Sequence, residues 1–92
     1  MQVNYFATLR QVVKAKAVDF DLPDGTTVRA LLDEMIRRFP DLKHEMLDED
    51  GELYQHVHIF INSRDASFLQ YGMDTPLQAG DIIGVFPAVG GG

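Results

Sequence analysis

No cysteine occurs in the 92 residues, which removes disulfides, thiolate zinc sites and any cysteine nucleophile together. Basic residues are scarce, with eight lysines and arginines against fourteen aspartates and glutamates, for a formal charge of −6. Binding phosphates requires a basic face, so nucleic acid is not expected as a direct partner, whereas a basic groove on another protein suits this chain. No apolar run approaches the roughly 18 residues of a membrane span. Met1 leads directly into strand-like alternation rather than a basic and apolar leader. A cytoplasmic protein without membrane contact is expected. A Ser/His/Asp set, a phosphate-binding glycine loop and a carboxylate pair with an argued role are also missing, so the chain is not expected to be an enzyme.

What remains is the make-up of one soluble domain, 46% apolar and 24% charged, long enough for a single modest core. Val3, Tyr5, Ala7 and Leu9 alternate with Gln2, Asn4, Phe6 and Thr8, which predicts a first strand over 2–9. Arg10 to Lys16 reads as an exposed connection. Val18, Phe20 and Leu22 then alternate with Asp19 and Asp21, predicting a second strand that forms a hairpin with the first. Pro23-Asp24-Gly25 is a turn, and Thr26 or Thr27 can cap a following helix. Val28, Leu31, Leu32, Met35, Ile36 and Phe39 fall on one helical stripe that Pro40 terminates, so this helix should pack on the sheet with Met35 and Phe39 in the core.

Asp41 to Glu52 is acidic and reads as a solvated loop with room for a short helical turn, its functional reading being docking to a basic surface. Alternation returns from His56 to Ile61, with Val57, Ile59 and Ile61 on one face and His56, His58 and Phe60 on the other. His56 and His58 could share a metal, but two ligands do not make a site, and no metal is expected. Their face, with Phe60, suits partner docking. Asn62 and Ser63 turn the chain, Asp65 to Leu69 could form a short fourth strand, and Phe68, Leu69 and Tyr71 serve either as lids on the core or as interface anchors. The last strand is expected over Ile82 to Phe86, where Gly84 signals a bulge or a close backbone approach.

The chain closes on Phe86-Pro87-Ala88-Val89-Gly90-Gly91-Gly92. Pro87 lacks a donor, so the ladder should stop at Phe86, dividing a domain over 1–86 from a tail over 87–92. Without side chains the glycines are thin enough to enter a narrow channel, and the only chemistry they offer is that of the backbone and the Gly92 carboxylate. A terminal carboxylate titrates at about 3.3–3.7 and, once ionised, resists nucleophiles. It must be activated, for instance as an acyl-adenylate, and a partner enzyme is therefore implied.

Two strands, a helix and further strands ending near the terminus make an α+β, β-grasp order, a mixed sheet on one main helix. That order, the Gly80-Asp81 turn and the ending from Phe86 to Gly92 resemble the ubiquitin-like sulfur carriers of the MoaD/ThiS family. The resemblance implies that an E1-like adenylyltransferase uses ATP to adenylate Gly92, which becomes a thiocarboxylate. It further implies a sulfur donor of the cysteine desulfurase or rhodanese type and an acceptor such as the large subunit of a molybdopterin synthase. No cofactor would be bound by the chain itself. Phe86, Pro87, Val89, Gly91 and Gly92 match the family motif, and with Gly90, Phe60 and Phe68 they are the expected partner-binding residues. Ala88 replaces a frequent second proline, and Gly90 a slightly larger residue. Extra length near Asp48 to Gln55 points away from thiamin, and molybdopterin is the first expectation. Alternatives are sulfur carriage for cysteine synthesis, thiamin or tRNA thiolation, a modifier joined to lysines, or a passive interaction module.

Overall fold

The computed structural model describes residues 1–87; residues 88–92 lie outside that range. Alternation at the start of the chain produces β1 (Gln2–Tyr5), which turns Val3 and Tyr5 inward, and β2 (Ala17–Asp19) pairs with it antiparallel as the expected hairpin. The first strand is shorter than expected. Ala7 takes a positive φ of 52°, and the chain winds into α1 (Thr8–Val13), where an exposed connection was anticipated over most of its length. Leu9 and Val13, four residues apart, bury on one face of that helix, a spacing that strand periodicity could not register. Lys14 closes the helix in the left-handed region at φ 61°. The second strand also ends early, at Asp19, although Phe20 is buried.

The main helix, α2 (Val28–Arg38), forms on the expected stripe. Of the two candidate caps, Thr27 accepts the Ala30 N–H at 3.1 Å, while Thr26 donates its hydroxyl to the Pro23 carbonyl. Val28, Leu31, Leu32 and Met35 are buried, whereas Phe39 is half-buried at the rim. Arg38 sits 4.9 Å from the centre of the Phe20 ring, covering the inner edge with its guanidinium. A short α3 (Leu42–Met46) buries Leu42 and Met46 ahead of the acidic turn at 48–51.

The third strand, β3 (Val57–Ile61), turns Val57, Ile59 and Ile61 inward, as expected. Asn62 and Ser63 hold positive φ and form its hairpin with β4 (Arg64–Asp65). Of the anticipated fourth strand over Asp65 to Leu69, only Asp65 is strand. Ala66–Phe68 form a 3-10 turn whose start is capped by Asp65 accepting the Ser67 N–H. The last strand, β5 (Ile82–Pro87), runs parallel to β1 and antiparallel to β3, giving the sheet order β2-β1-β5-β3-β4. This mixed sheet around one main helix is a β-grasp.

Strand β5 continues one residue past Phe86, with Pro87 opposite Val57. The pairing of β1 ends at Tyr5 opposite Val85, whose carbonyl accepts the Phe6 N–H. Backbone groups alternate along a strand, so the nitrogen of Pro87 faces the side where β1 has already ended. Its missing donor breaks no ladder bond.

Tyr5 is fully buried on the inner face, and its hydroxyl has no partner among the described residues. Burial pushes its ionisation well above that of an ordinary phenol, against a small opposing pull from Arg38. A buried unpaired hydroxyl costs about 1–3 kcal/mol in lost hydration. Tyr5→Phe should therefore raise stability by about 1 kcal/mol in urea unfolding, and a loss of similar size would mean the hydroxyl is satisfied.

Candidate docking face and chain terminus

The register places one row of outward-facing residues across the sheet, with Asn4, Gly84, Phe60 and Asp65 as successive partners. In the next row His58 stands opposite Phe86. These strands carry their apolar residues on both faces, and among the described residues no helix lines the outer face. An open groove of about 530 Å³ results, lined by Asn4, Phe6, Phe60, Ile82, Gly84 and Phe86, with Ser63 at its end. None of the lining residues is charged, in a chain of net charge −6.

The groove is built from aromatic rings. Phe6 and Phe86 stack with centroids 4.0 Å apart and planes 8° from parallel, and Phe60 meets Phe86 edge-on at 5.1 Å. Arg10, projecting from α1, lies 5.0 Å from the Phe6 centroid and donates from Nε to the Tyr5 carbonyl at 2.7 Å. The close approach signalled by Gly84 is real. A Cβ there would stand 3.0 Å from Cε2 of Phe86 and 3.4 Å from Cε2 of Phe6. The glycine lets both rings lie flat against the strand.

Two of the residues expected to bind partners, Phe60 and Phe86, therefore meet in one surface, at the end of which Pro87 continues the chain. Phe68 is elsewhere. It is 86% exposed on the 3-10 turn and does not line the groove, and Tyr71 at 62% exposed is likewise no lid on the core. Leu69 packs partly against the core. Val89, Gly90, Gly91 and Gly92, the last of them the expected reactive residue, lie outside the described residues. Phe6 and Arg10 were missed by sequence reasoning. Phe6 shares its alternation with Asn4, so counting aromatics on the outward positions of the first and last strands together would have found it.

The histidines separate. His56 stacks on Tyr54 at 4.9 Å, whereas His58 pairs through Nδ1 with Oδ2 of Asp65 at 2.9 Å. Among the described residues no three His, Asp or Glu side chains converge as a metal site would require. Ser67 also donates to Asp65, from its N–H at 2.9 Å and from its hydroxyl at 2.8 Å. The carboxylate thus sits between serine and histidine, and the Ser67 hydroxyl donates to Asp65 rather than to the His58 ring. Burial pushes the Asp65 carboxyl up, but the Ser67 donors and the His58 ring outweigh it and hold it below the usual range.

Two predictions follow from this geometry. Gly84→Ala should push the Phe86 ring off the strand at a cost near 1 kcal/mol, and loss of the mutual ring-current shifts of Phe6 and Phe86 by NMR would register it. Asp65 has a lowered folded value, so its contribution is present above the unfolded value of about 3.9 and fades as pH falls through the folded one. Asp65→Asn should flatten that part of the acid-unfolding curve below about pH 4, and an unchanged curve would contradict the assignment.

Comparison with known proteins agrees with this fold. The chain matches the ThiS family over residues 3–92. It is 36% identical over 92 residues to Small archaeal modifier protein 3 of Haloferax volcanii, covering 100% of this chain and 98% of that protein. The crystal structure of SAMP1 from Haloferax volcanii superposes with a TM-score of 0.86 at 31% identity, covering 99% and 97% of the two chains. A Pyrococcus furiosus structure, provisionally described as molybdopterin converting factor subunit 1, has a TM-score of 0.75 at 35% identity and covers 96% and 95%. The chain belongs to the ThiS family of ubiquitin-like, β-grasp sulfur carriers.

Proposed function

We propose that this protein carries sulfur as a thiocarboxylate on Gly92, delivered to partner enzymes by docking of the outer sheet face. The observation that supports this reading most directly is the uncharged aromatic groove that runs up to Phe86 and Pro87, the residues from which the glycine tail departs. An exposed apolar patch carries no benefit for a free monomer and suits a protein partner. A face anchored there would set the tail at a fixed starting point, so that a thin diglycine enters a partner's active site while the catalytic groups remain in the partner.

On this reading an E1-like adenylyltransferase joins the Gly92 carboxylate to the AMP moiety of ATP and releases pyrophosphate. The terminal sulfur of a persulfide on a desulfurase or rhodanese-type donor then attacks the acyl-adenylate and expels AMP, and a second thiol of the partner enzymes cleaves the resulting acyl disulfide, forming a disulfide with the donor sulfur and releasing the Gly92 thiocarboxylate. The acceptor we favour is a molybdopterin synthase, a choice supported by the similarity to the Pyrococcus furiosus protein. The similarity to Small archaeal modifier protein 3 favours a second reading, in which the activated Gly92 is joined to lysines of other proteins.

Intact mass after incubation with ATP, a sulfur donor and extract of its own source tests the proposal. The full-length chain should gain the mass of one oxygen exchanged for sulfur, and a chain lacking Gly91 and Gly92 should not. An unchanged mass beside an active E1-like enzyme would reject sulfur carriage, and Gly-Gly remnants on target lysines would then establish the modifier reading. Phe60→Ala and Phe86→Ala should each slow activation by about tenfold or more at limiting enzyme, as expected for interface anchors worth about 1.4 kcal/mol. Rates equal to wild type would place docking elsewhere.

A further inference from the structure

The docking face is uncharged across its floor, but one polar assembly stands at its rim. His58 lies opposite Phe86 across β3 and β5, and its ring centroid is 6.4 Å from that of Phe60. Its side chain is 44% exposed, whereas that of Asp65 behind it is only 12% exposed. Asp65 comes from β4, where it pairs with Phe60, and both of its oxygens are engaged, Oδ1 by Ser67 and Oδ2 by His58. A carboxylate can only accept, so His58 must donate from Nδ1. The neutral imidazole then holds its other nitrogen, Nε2, as a bare acceptor.

We infer that His58 is a specificity-determining residue of the docking face, its Nε2 accepting a hydrogen bond from a lysine or arginine donor on the partner. The inference rests on the carrier reading and adds the chemistry of the partner's surface. The negative charge of Asp65 behind the ring makes Nε2 a stronger acceptor and favours a cationic donor over a neutral one, as second-layer carboxylates do for histidine elsewhere. A basic group also complements a chain of net charge −6. The other titratable groups near the ring are Tyr54 and His56, stacked together on the segment leading into β3, while β5 contributes only the uncharged Phe86. Asp65 is thus the one carboxylate among the described residues that contacts the imidazole.

The proton dependence follows directly. A protonated His58 has no acceptor and repels a cationic donor, so binding should weaken on acidification.

The test is the affinity for the purified E1-like adenylyltransferase of the same source, with ATP and magnesium, measured from about pH 7.5 to about pH 5.5. Wild type should lose about tenfold across that range, while His58→Phe, which keeps the ring but removes the acceptor, should bind several-fold more weakly at pH 7.5 with a flatter profile. Using one enzyme for both proteins cancels the enzyme's own titration. Parallel profiles would overturn the inference and leave the carrier reading standing. Absence of wild-type binding at any pH would reject the carrier reading and this inference with it. A partner-free check is the nitrogen-15 spectrum of the folded protein at about pH 7.5, where a His58 ring protonated on Nε2 rather than Nδ1 would also overturn the proposal.

Discussion

The structure depends on the pairing of β5 on both of its sides. Val85 stands between Tyr5 and Ile59, and Gly84 between Asn4 and Phe60, so each residue of β5 assigns its neighbours to one face of the sheet. Ile83 and Val85 point into the core with α2, and Gly84 and Phe86 point into the groove. A slip of one residue would exchange the two sets, exposing two buried aliphatics and burying a large ring against the helix. At about 1.5–3 kcal/mol for each large apolar side chain, core burial alone is enough to hold the register. The docking face therefore inherits its geometry from the hydrophobic core behind it.

That dependence explains how a small protein keeps a rigid apolar surface in water. The rings of Phe6, Phe60 and Phe86 pack on one another and on the bare backbone of Gly84, so a partner meets a preformed surface rather than loose side chains. Arg10 covers the outer side of Phe6 and ties it to the Tyr5 carbonyl. The positive φ of Ala7 turns the chain out of the sheet directly after Phe6, which frees that ring from the ladder and sets α1 beside it. Strained backbone of this kind persists where the surroundings hold it, here between a paired strand and a helix anchored by Leu9 and Val13.

The chemistry and the fold are carried by different parts of the chain. The relatives share the β-grasp body. On the proposed reading that body recognises the partner, whereas the Gly92 carboxylate reacts once the partner has activated it. The His58–Asp65 pair lines a second cleft of about 350 Å³ together with Tyr54 and Ser67, and the register sets His58 beside Phe86 of the apolar groove.

Much of the fold was legible because burial imposes periods that a sequence records. The stripe of Val28, Leu31, Leu32 and Met35 is a helix packed on one side, and the alternation of Val57, Ile59 and Ile61 is a strand with one face inside. The C-terminal glycines and the absence of cysteine determined, without any structure, which chemistry the chain could offer. The misread segments are those too short to show a period. Only two turns of α1 follow β1 without punctuation, and Ala7 gives no hint of its positive φ because alanine rarely adopts one. Phe68 and Phe60 look alike as residues, yet one is in solvent and the other in the groove, since exposure depends on neighbours distant in sequence. Likewise His58 meets Asp65 only through the β3–β4 hairpin, and Phe6 meets Phe86 only because β1 and β5 run side by side. Sequence alone determined the main helix and the inward faces of β1 and β3, because those periods are local properties. Tertiary structure alone decided which rings form one face and which acid holds which histidine, because those contacts exist only once the strands are in register.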